Sequence, residues 1–63
     1  MNITIEELNR MTEILEYYKK EALEKAKKAS REGKEHTHEE AIYTRNAMSA
    51  VITALEYAKD ELK

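Results

Sequence analysis

Apolar residues recur along this chain at the spacing of one face of an α-helix, in two separate segments. In the first segment they fall on one wide arc: Ile5, Leu8, Met11, Ile14, Leu15, Tyr18, Ala22, Leu23, Ala26 and Ala29. In the second segment the main apolar face is Ala41, Ala47, Met48, Val51, Ile52, Leu55, Ala58 and Leu62, and it is widened by Tyr43, Ala50, Ala54 and Tyr57. The pattern predicts two amphipathic helices, each with an apolar arc wider than one partner helix covers.

Local signals predict where these helices begin and end. Thr4 and Glu7 have the spacing of a capping box, and Gly33 stands where a left-handed cap would end the first helix. Thr37 and Glu40 repeat the capping-box spacing. We therefore expect one domain, residues 1–63, with a first helix at about residues 5–32, a turn at about 33–37 and a second helix at about 38–62.

The short turn predicts that the two helices fold back on each other as an antiparallel αα-hairpin. A chain of 63 residues buries only about 60% of the surface that its unfolded form exposes, and this one has no Cys to form disulfides. Self-association is the remaining route to stability. The expected fold is therefore all-α, an antiparallel two-helix hairpin that assembles into a homo-oligomeric helical bundle.

Charge and hydropathy narrow the classes of partner. The chain has 11 basic and 13 acidic residues, and their intermixing argues against a duplex nucleic acid partner or a basic membrane-binding face. No apolar run approaches the roughly 18 to 20 residues of a membrane span. The first residues, MNITIEEL, lack the basic start of a secretory signal. We expect a soluble intracellular protein without a membrane partner.

Two histidines near the turn raise a metal hypothesis, which the spacing does not favour. His36 and His38, with Glu39 or Glu40, offer the ligand types that zinc uses. No third ligand follows from the spacing, so polar turn residues beside a helix cap are the preferred interpretation, and no metal or cofactor is predicted. Catalysis needs a concave site that a lone hairpin lacks, so no catalytic residue and no enzyme activity are predicted.

A stripe of short neutral side chains marks the second helix. Asn46, Ser49 and Thr53 share a face beside Arg45, although surface positions of helices usually carry Glu, Lys or Arg. Such residues either bond a ligand or line a close packing seam between subunits, and the sequence leaves both open.

Aromatic and basic residues supply the other candidate ligand contacts. Tyr17 with Lys20, and Tyr43 with Arg45, combine a ring that stacks on a base with a cation that binds phosphate. The alternative is that these Tyr side chains line oligomer interfaces with their hydroxyls in water.

The segment SAVITALEYAKDEL resembles the second-helix signature of small phage hairpin proteins that sequester cyclic-nucleotide immune signals, the anti-CBASS and anti-Thoeris sponges. The matching residues are Ser49, Ile52, Thr53, Leu55, Glu56, Ala58 and Leu62. The resemblance implies a multimeric hairpin bundle in the cytoplasm, that of the host cell if the chain is phage-encoded. It also implies that protomer junctions bind a cyclic oligonucleotide without cleaving it.

Two further classes stay open beside the sponge. The first is a helical module that docks on another protein. The second is a designed bundle without a ligand, since the segment EALEKAKKA is composed of the strong helix formers that designed helices use. Co-purification of nucleotide favours the sponge, and protein free of nucleotide favours the other two.

Overall fold

The computed structural model describes residues 2–63 and contains two helices and no strand within them: α1, Ile5–Arg31, and α2, Glu35–Leu62. The two helices pack against each other as a hairpin 46 Å long and 17 by 14 Å across. The all-helical, two-helix part of the prediction is confirmed, and the homo-oligomer stays a prediction. Met1, the first residue of the predicted domain, lies outside the described residues. Neither helix is long and apolar enough to cross a membrane.

The first helix begins at the predicted capping box. The Glu7 backbone N–H donates to Thr4 Oγ1 at 3.1 Å, and the Thr4 N–H donates to Glu7 Oε1 at 3.2 Å. Two N–H groups that a helix start would leave unpaired are thereby satisfied. Glu6 and Glu7 also place negative charge at the positive end of the helix dipole.

The turn is a Schellman motif centred on the only glycine of the chain. Gly33 has a φ of +71°, its N–H donates to the Ser30 carbonyl, and the Lys34 N–H donates to the Ala29 carbonyl at 2.8 Å. Gly33 therefore has the predicted role. The reversal is complete at Lys34, whose carbonyl already accepts the His38 N–H at 2.9 Å.

The second helix consequently begins at Glu35, three residues before the predicted start. The Thr37–Glu40 capping box is wrong, because Thr37 lies inside the helix and no side chain caps its start. The backbone reversal at Gly33 positions the following residues for helix directly, so α2 starts before the sequence motif occurs.

The seam between the helices follows a spacing of alternating three and four residues. On α1 its positions are Ile5, Leu8, Thr12, Leu15, Lys19, Ala22, Ala26 and Ala29, all buried or half-buried. On α2 they are His38, Ala41, Arg45, Met48, Ile52, Leu55 and Lys59. Among residues 2–63, full burial is limited to Leu8 and four alanines, Ala22, Ala26, Ala29 and Ala41. The alanines let the helices approach closely towards the turn. The hairpin thus has a thin core.

Much of the predicted apolar arc lies outside this seam. Met11, Ile14 and Tyr18 on α1 and Val51 on α2 are each about half exposed, and Tyr43, Tyr57 and Leu62 are also exposed. This agrees with the expectation that one hairpin leaves much of its apolar surface in water.

Candidate functional site

Polar residues in the seam divide into those with partners and those without. Thr12 Oγ1 donates to the Leu8 carbonyl, and His38 Nδ1 lies 3.0 Å from the Ala26 carbonyl oxygen. Lys59 Nζ donates to Asn9 Oδ1 at 3.0 Å and to Glu56 Oε1 at 2.8 Å. Within residues 2–63 no comparable bond holds the other two seam positions, Lys19 and Arg45.

These two unpartnered residues lie in one groove between the helices. The groove, called here the Arg45 groove, has a volume of about 370 Å³ and is lined by Glu16, Lys19, Lys20, Leu23 and Arg45. The Arg45 Nε atom is buried without a hydrogen-bond partner. Burying a guanidinium N–H without an acceptor is unfavourable. This N–H therefore lacks a hydrogen bond that an acceptor oxygen would supply.

The electrostatics of the Arg45 groove are cationic although the chain as a whole is slightly acidic. Three cations face one carboxylate, that of Glu16. Among the described residues, no acidic side chain lies within salt-bridge distance of Lys19, Lys20 or Arg45. The groove is therefore a local site of uncompensated positive charge, the property that an anionic ligand requires.

The structure brings two of the predicted ligand residues together, Arg45 and Lys20. The sequence pattern predicted Arg45 on the surface beside the neutral stripe. In the structure Arg45 occupies a seam position of α2 and reaches across to α1. Lys19 was missed by sequence reasoning. Its signal is the seam spacing itself, since Lys19 lies four residues after Leu15 and three before Ala22, at a position where an apolar residue is usual.

Tyr17 and Tyr43 do not line the Arg45 groove. Tyr17 is 60% exposed, packs edge-on against Tyr18 with ring centroids 5.5 Å apart, and shares a shallow surface with Lys20. Its hydrogen bond with Glu21, together with the charge of that carboxylate, raises the pKa of Tyr17 above its ordinary value. Tyr43 is exposed on α2. A ligand held by Arg45 reaches Tyr17 only by extending past Lys20.

The neutral stripe also lies outside the groove lining. Ser49 follows Arg45 by one helical turn and is half-buried, whereas Asn46 and Thr53 are exposed. Thr53 Oγ1 donates to the Ser49 carbonyl at 3.1 Å, so its hydrogen is already used within α2. The stripe is thus a flank of the Arg45 groove that offers acceptor oxygens and the Asn46 amide.

The two histidines near the turn make separate contacts. His36 Nε2 lies 2.7 Å from Glu40 Oε1 on the outer surface, while His38 is half-buried against α1. The structure therefore gives each imidazole a different structural partner.

The residues that carry the sponge resemblance all lie on α2. Of its polar members, Glu56 pairs with Lys59, and Ser49 and Thr53 are joined through their own helix. Both bonds lie within α2, and they do not by themselves identify a ligand. Comparison with known protein families, with curated proteins and with solved structures finds no match to this chain.

Proposed function

We propose that this chain is a non-enzymatic, oligomeric binding protein that takes a phosphate-bearing ligand in the Arg45 groove and releases it unchanged. A cyclic oligonucleotide or related nucleotide signal is the ligand class that combines phosphates with stacking bases. The observation that carries the proposal is the unpartnered set of Lys19, Lys20 and Arg45 beside a buried, unsatisfied guanidinium N–H.

The three cations of the groove contact the phosphates in different ways. Arg45 donates from a planar, permanently charged group that matches phosphate oxygens, and Lys19 and Lys20 act as mobile point charges. The amide of Asn46 and the hydroxyls of Ser49 and Thr53 lie on the flank of the groove on α2, where they contact the ribose or base edges. Tyr17, which shares a surface with Lys20, supplies an outer stacking surface for a base that extends beyond the groove. No step requires a nucleophile or a general base.

Calorimetry with a panel of cyclic di- and trinucleotides and ADP-ribose derivatives tests the proposal. Arg45→Met is expected to weaken binding by roughly 10- to 100-fold, the scale of a charge-assisted hydrogen bond of about 1.5 to 3 kcal/mol. Lys27→Met is the matched control, since Lys27 is an exposed cation of α1 outside the groove. Chromatography of the recovered ligand is expected to return it chemically intact.

Either of two results would contradict this proposal. The first is that no nucleotide of the panel binds more tightly than about 100 μM, equivalent to roughly 5.5 kcal/mol. The second is an equal loss of affinity in Lys27→Met and Arg45→Met, which would indicate general charge attraction rather than a groove. In either case the second candidate, a helical module that docks on another protein, takes its place, and the exposed apolar side chains Met11, Ile14 and Val51 favour it.

A further inference from the structure

The side of the hairpin opposite the Arg45 groove carries a run of exposed apolar residues. Tyr18 and Met48 line a shallow groove of about 360 Å³ between the helices on that side, which becomes polar at Glu21, Lys25, Glu40 and Thr44. Helical spacing extends this surface along α1 to Met11 and Ile14, and along α2 to Ala47, Val51 and Ala54. We name the exposed members of this surface the Tyr18 face: Met11, Ile14, Tyr18, Ala47, Val51 and Ala54.

Charge distribution distinguishes the two helices at this face. The α1 helix never has more than two uncharged residues in succession, as suits a helix with one face in water. The α2 helix has no charged residue at all between Arg45 and Glu56, and of these two Arg45 points into the seam while Glu56 pairs with Lys59. A helix that is uncharged around most of its circumference is typical of one covered on more than one side.

The hairpin exposes more surface than a compact monomer of its mass, and this excess is close to the area that one partner buries in a stable dimer. The hairpin exposes 5090 Å², whereas a compact monomer of 7.4 kDa is expected to expose about 4,200 Å². The excess of about 900 Å² matches the share of about 800 Å² per partner in a standard protein interface. Burying about 800 Å² of each hairpin would bring its exposed area close to the value expected for a compact monomer of the same mass.

We infer that a second copy of this chain packs against the Tyr18 face, with the open end of one hairpin beside the turn end of the other. This inference deepens the oligomeric part of the proposed function and is independent of the ligand. It makes a four-helix bundle with one twofold axis across the helices, so the same surface is used on both copies.

The charges at the two ends of the face determine this orientation. Glu7 and Glu61 lie towards the open end, and Lys25 and Lys28 lie towards the turn. Stacking open end on open end would bring like charges together, whereas the opposite stacking sets the acidic end of each copy against the basic end of the other. Arg10 lies beside Glu6 and Glu7, and Glu32 lies beside Lys25, Lys28 and Lys34, so each end keeps an excess of its own sign of charge.

The Arg45 groove stays open in this dimer, because it lies on the opposite side of the hairpin. Mass measured without ligand therefore reports on the second copy alone, and ligand titration reports on the groove alone. A dimer that binds no nucleotide contradicts the proposed ligand, while a monomer contradicts this inference.

Sedimentation of the full chain at micromolar concentration is expected to give twice the chain mass. Val51→Glu and Ile14→Glu are expected to weaken self-association at least 10-fold, because each puts a charge in the centre of the face. Ser30→Glu, which adds the same charge at an exposed position of α1 outside the face, is the matched control and is expected to stay dimeric. A monomeric wild-type chain, or a mass larger than a dimer, overturns the inference.

Cross-linking tests the orientation without relying on a disruptive substitution. The chain has no Cys, so Glu61→Cys and Lys28→Cys each introduce a single thiol, at opposite ends of the face. Mild oxidation of the two variants mixed together is expected to give mainly the mixed disulfide dimer. Preferential self-linking of Glu61→Cys would show open ends stacked together and would overturn the orientation.

Discussion

His38 Nδ1 lies 3.0 Å from the carbonyl oxygen of Ala26, and this contact ties the start of α2 to the late turns of α1. Because a carbonyl oxygen only accepts, Nδ1 is the donor and carries the hydrogen. The other imidazole near the turn, that of His36, is exposed and meets Glu40 on its own helix. Two histidines that look alike in the sequence therefore have different structural roles.

Replacing each histidine with alanine measures this difference. We expect His38→Ala to lower the free energy of unfolding by about 0.5 to 1.5 kcal/mol, because it removes a half-buried hydrogen bond between the helices. His36→Ala is the matched control and is expected to cost less than about 0.5 kcal/mol, as an exposed pair does. Urea denaturation followed by circular dichroism gives both values. Equal effects of the two substitutions would contradict the assigned role of His38.

Gly33 provides a test of the turn. Its φ of +71° is unfavourable for residues with a Cβ, yet a Cβ added there would meet nothing within 4 Å. Gly33→Ala is therefore expected to cost about 1 kcal/mol through backbone conformation alone, and Gly33→Asn less, since Asn tolerates the left-handed region better. The same denaturation experiment measures both variants. A loss in Gly33→Ala well above about 2 kcal/mol would point to a clash that the structure does not contain.

The comparison of Thr4 with Thr37 shows how far local sequence signals extend. Both have a Glu three residues later, but only Thr4 forms the capping box. At Thr4 the cap residue itself is extended and its side chain accepts the Glu7 N–H, so the motif coincides with the helix start. At Thr37 the reversal around Gly33 starts α2 three residues before the motif, and a local pattern does not include that tertiary constraint.

Arg45 and Lys19 show why the candidate site was only partly predictable. Helical periodicity assigns charged residues to the surface by their polarity, so Arg45 was expected beside the stripe of Asn46 and Ser49. The alternating spacing of three and four residues places both cations at seam positions, where their stems pack and their charged ends reach the groove. Arg45 and Lys20 converge only because α2 folds back on α1 in this register.

Leu15 and Leu55 test the middle of the seam. Both belong to the predicted apolar faces, and both are half-buried in the hairpin. We expect Leu15→Ala or Leu55→Ala to cost at least about 2 kcal/mol, at the lower end of the range for buried leucines. Leu62→Ala, at a 48% exposed position near the end of α2, is the control and is expected to cost less than about 1 kcal/mol. Thermal melting that does not separate these variants would mean that the seam is placed wrongly.

Arg45 offers the sharpest distinction between a structural and a binding role. Its Nε is buried without a partner, so Arg45→Met keeps an unbranched stem in the seam while it removes an unsatisfied donor. We expect this variant to be more stable than the wild type by about 1 kcal/mol, a rise in melting temperature of about 4 to 8 °C for a domain of this size. We also expect it to lose the anion affinity of the groove, a combination that a purely structural arginine would not show.

Lys20→Met is the companion measurement for Arg45→Met. Lys20 lines the same groove but is exposed, so its replacement is expected to weaken anion binding with almost no change in melting temperature. Scanning calorimetry of the free proteins gives the stabilities, and titration with a cyclic dinucleotide gives the affinities. A lower melting temperature in Arg45→Met would mean that the guanidinium has a stabilising partner in solution. The buried Nε would then be part of the fold, and it would need no oxygen from a ligand.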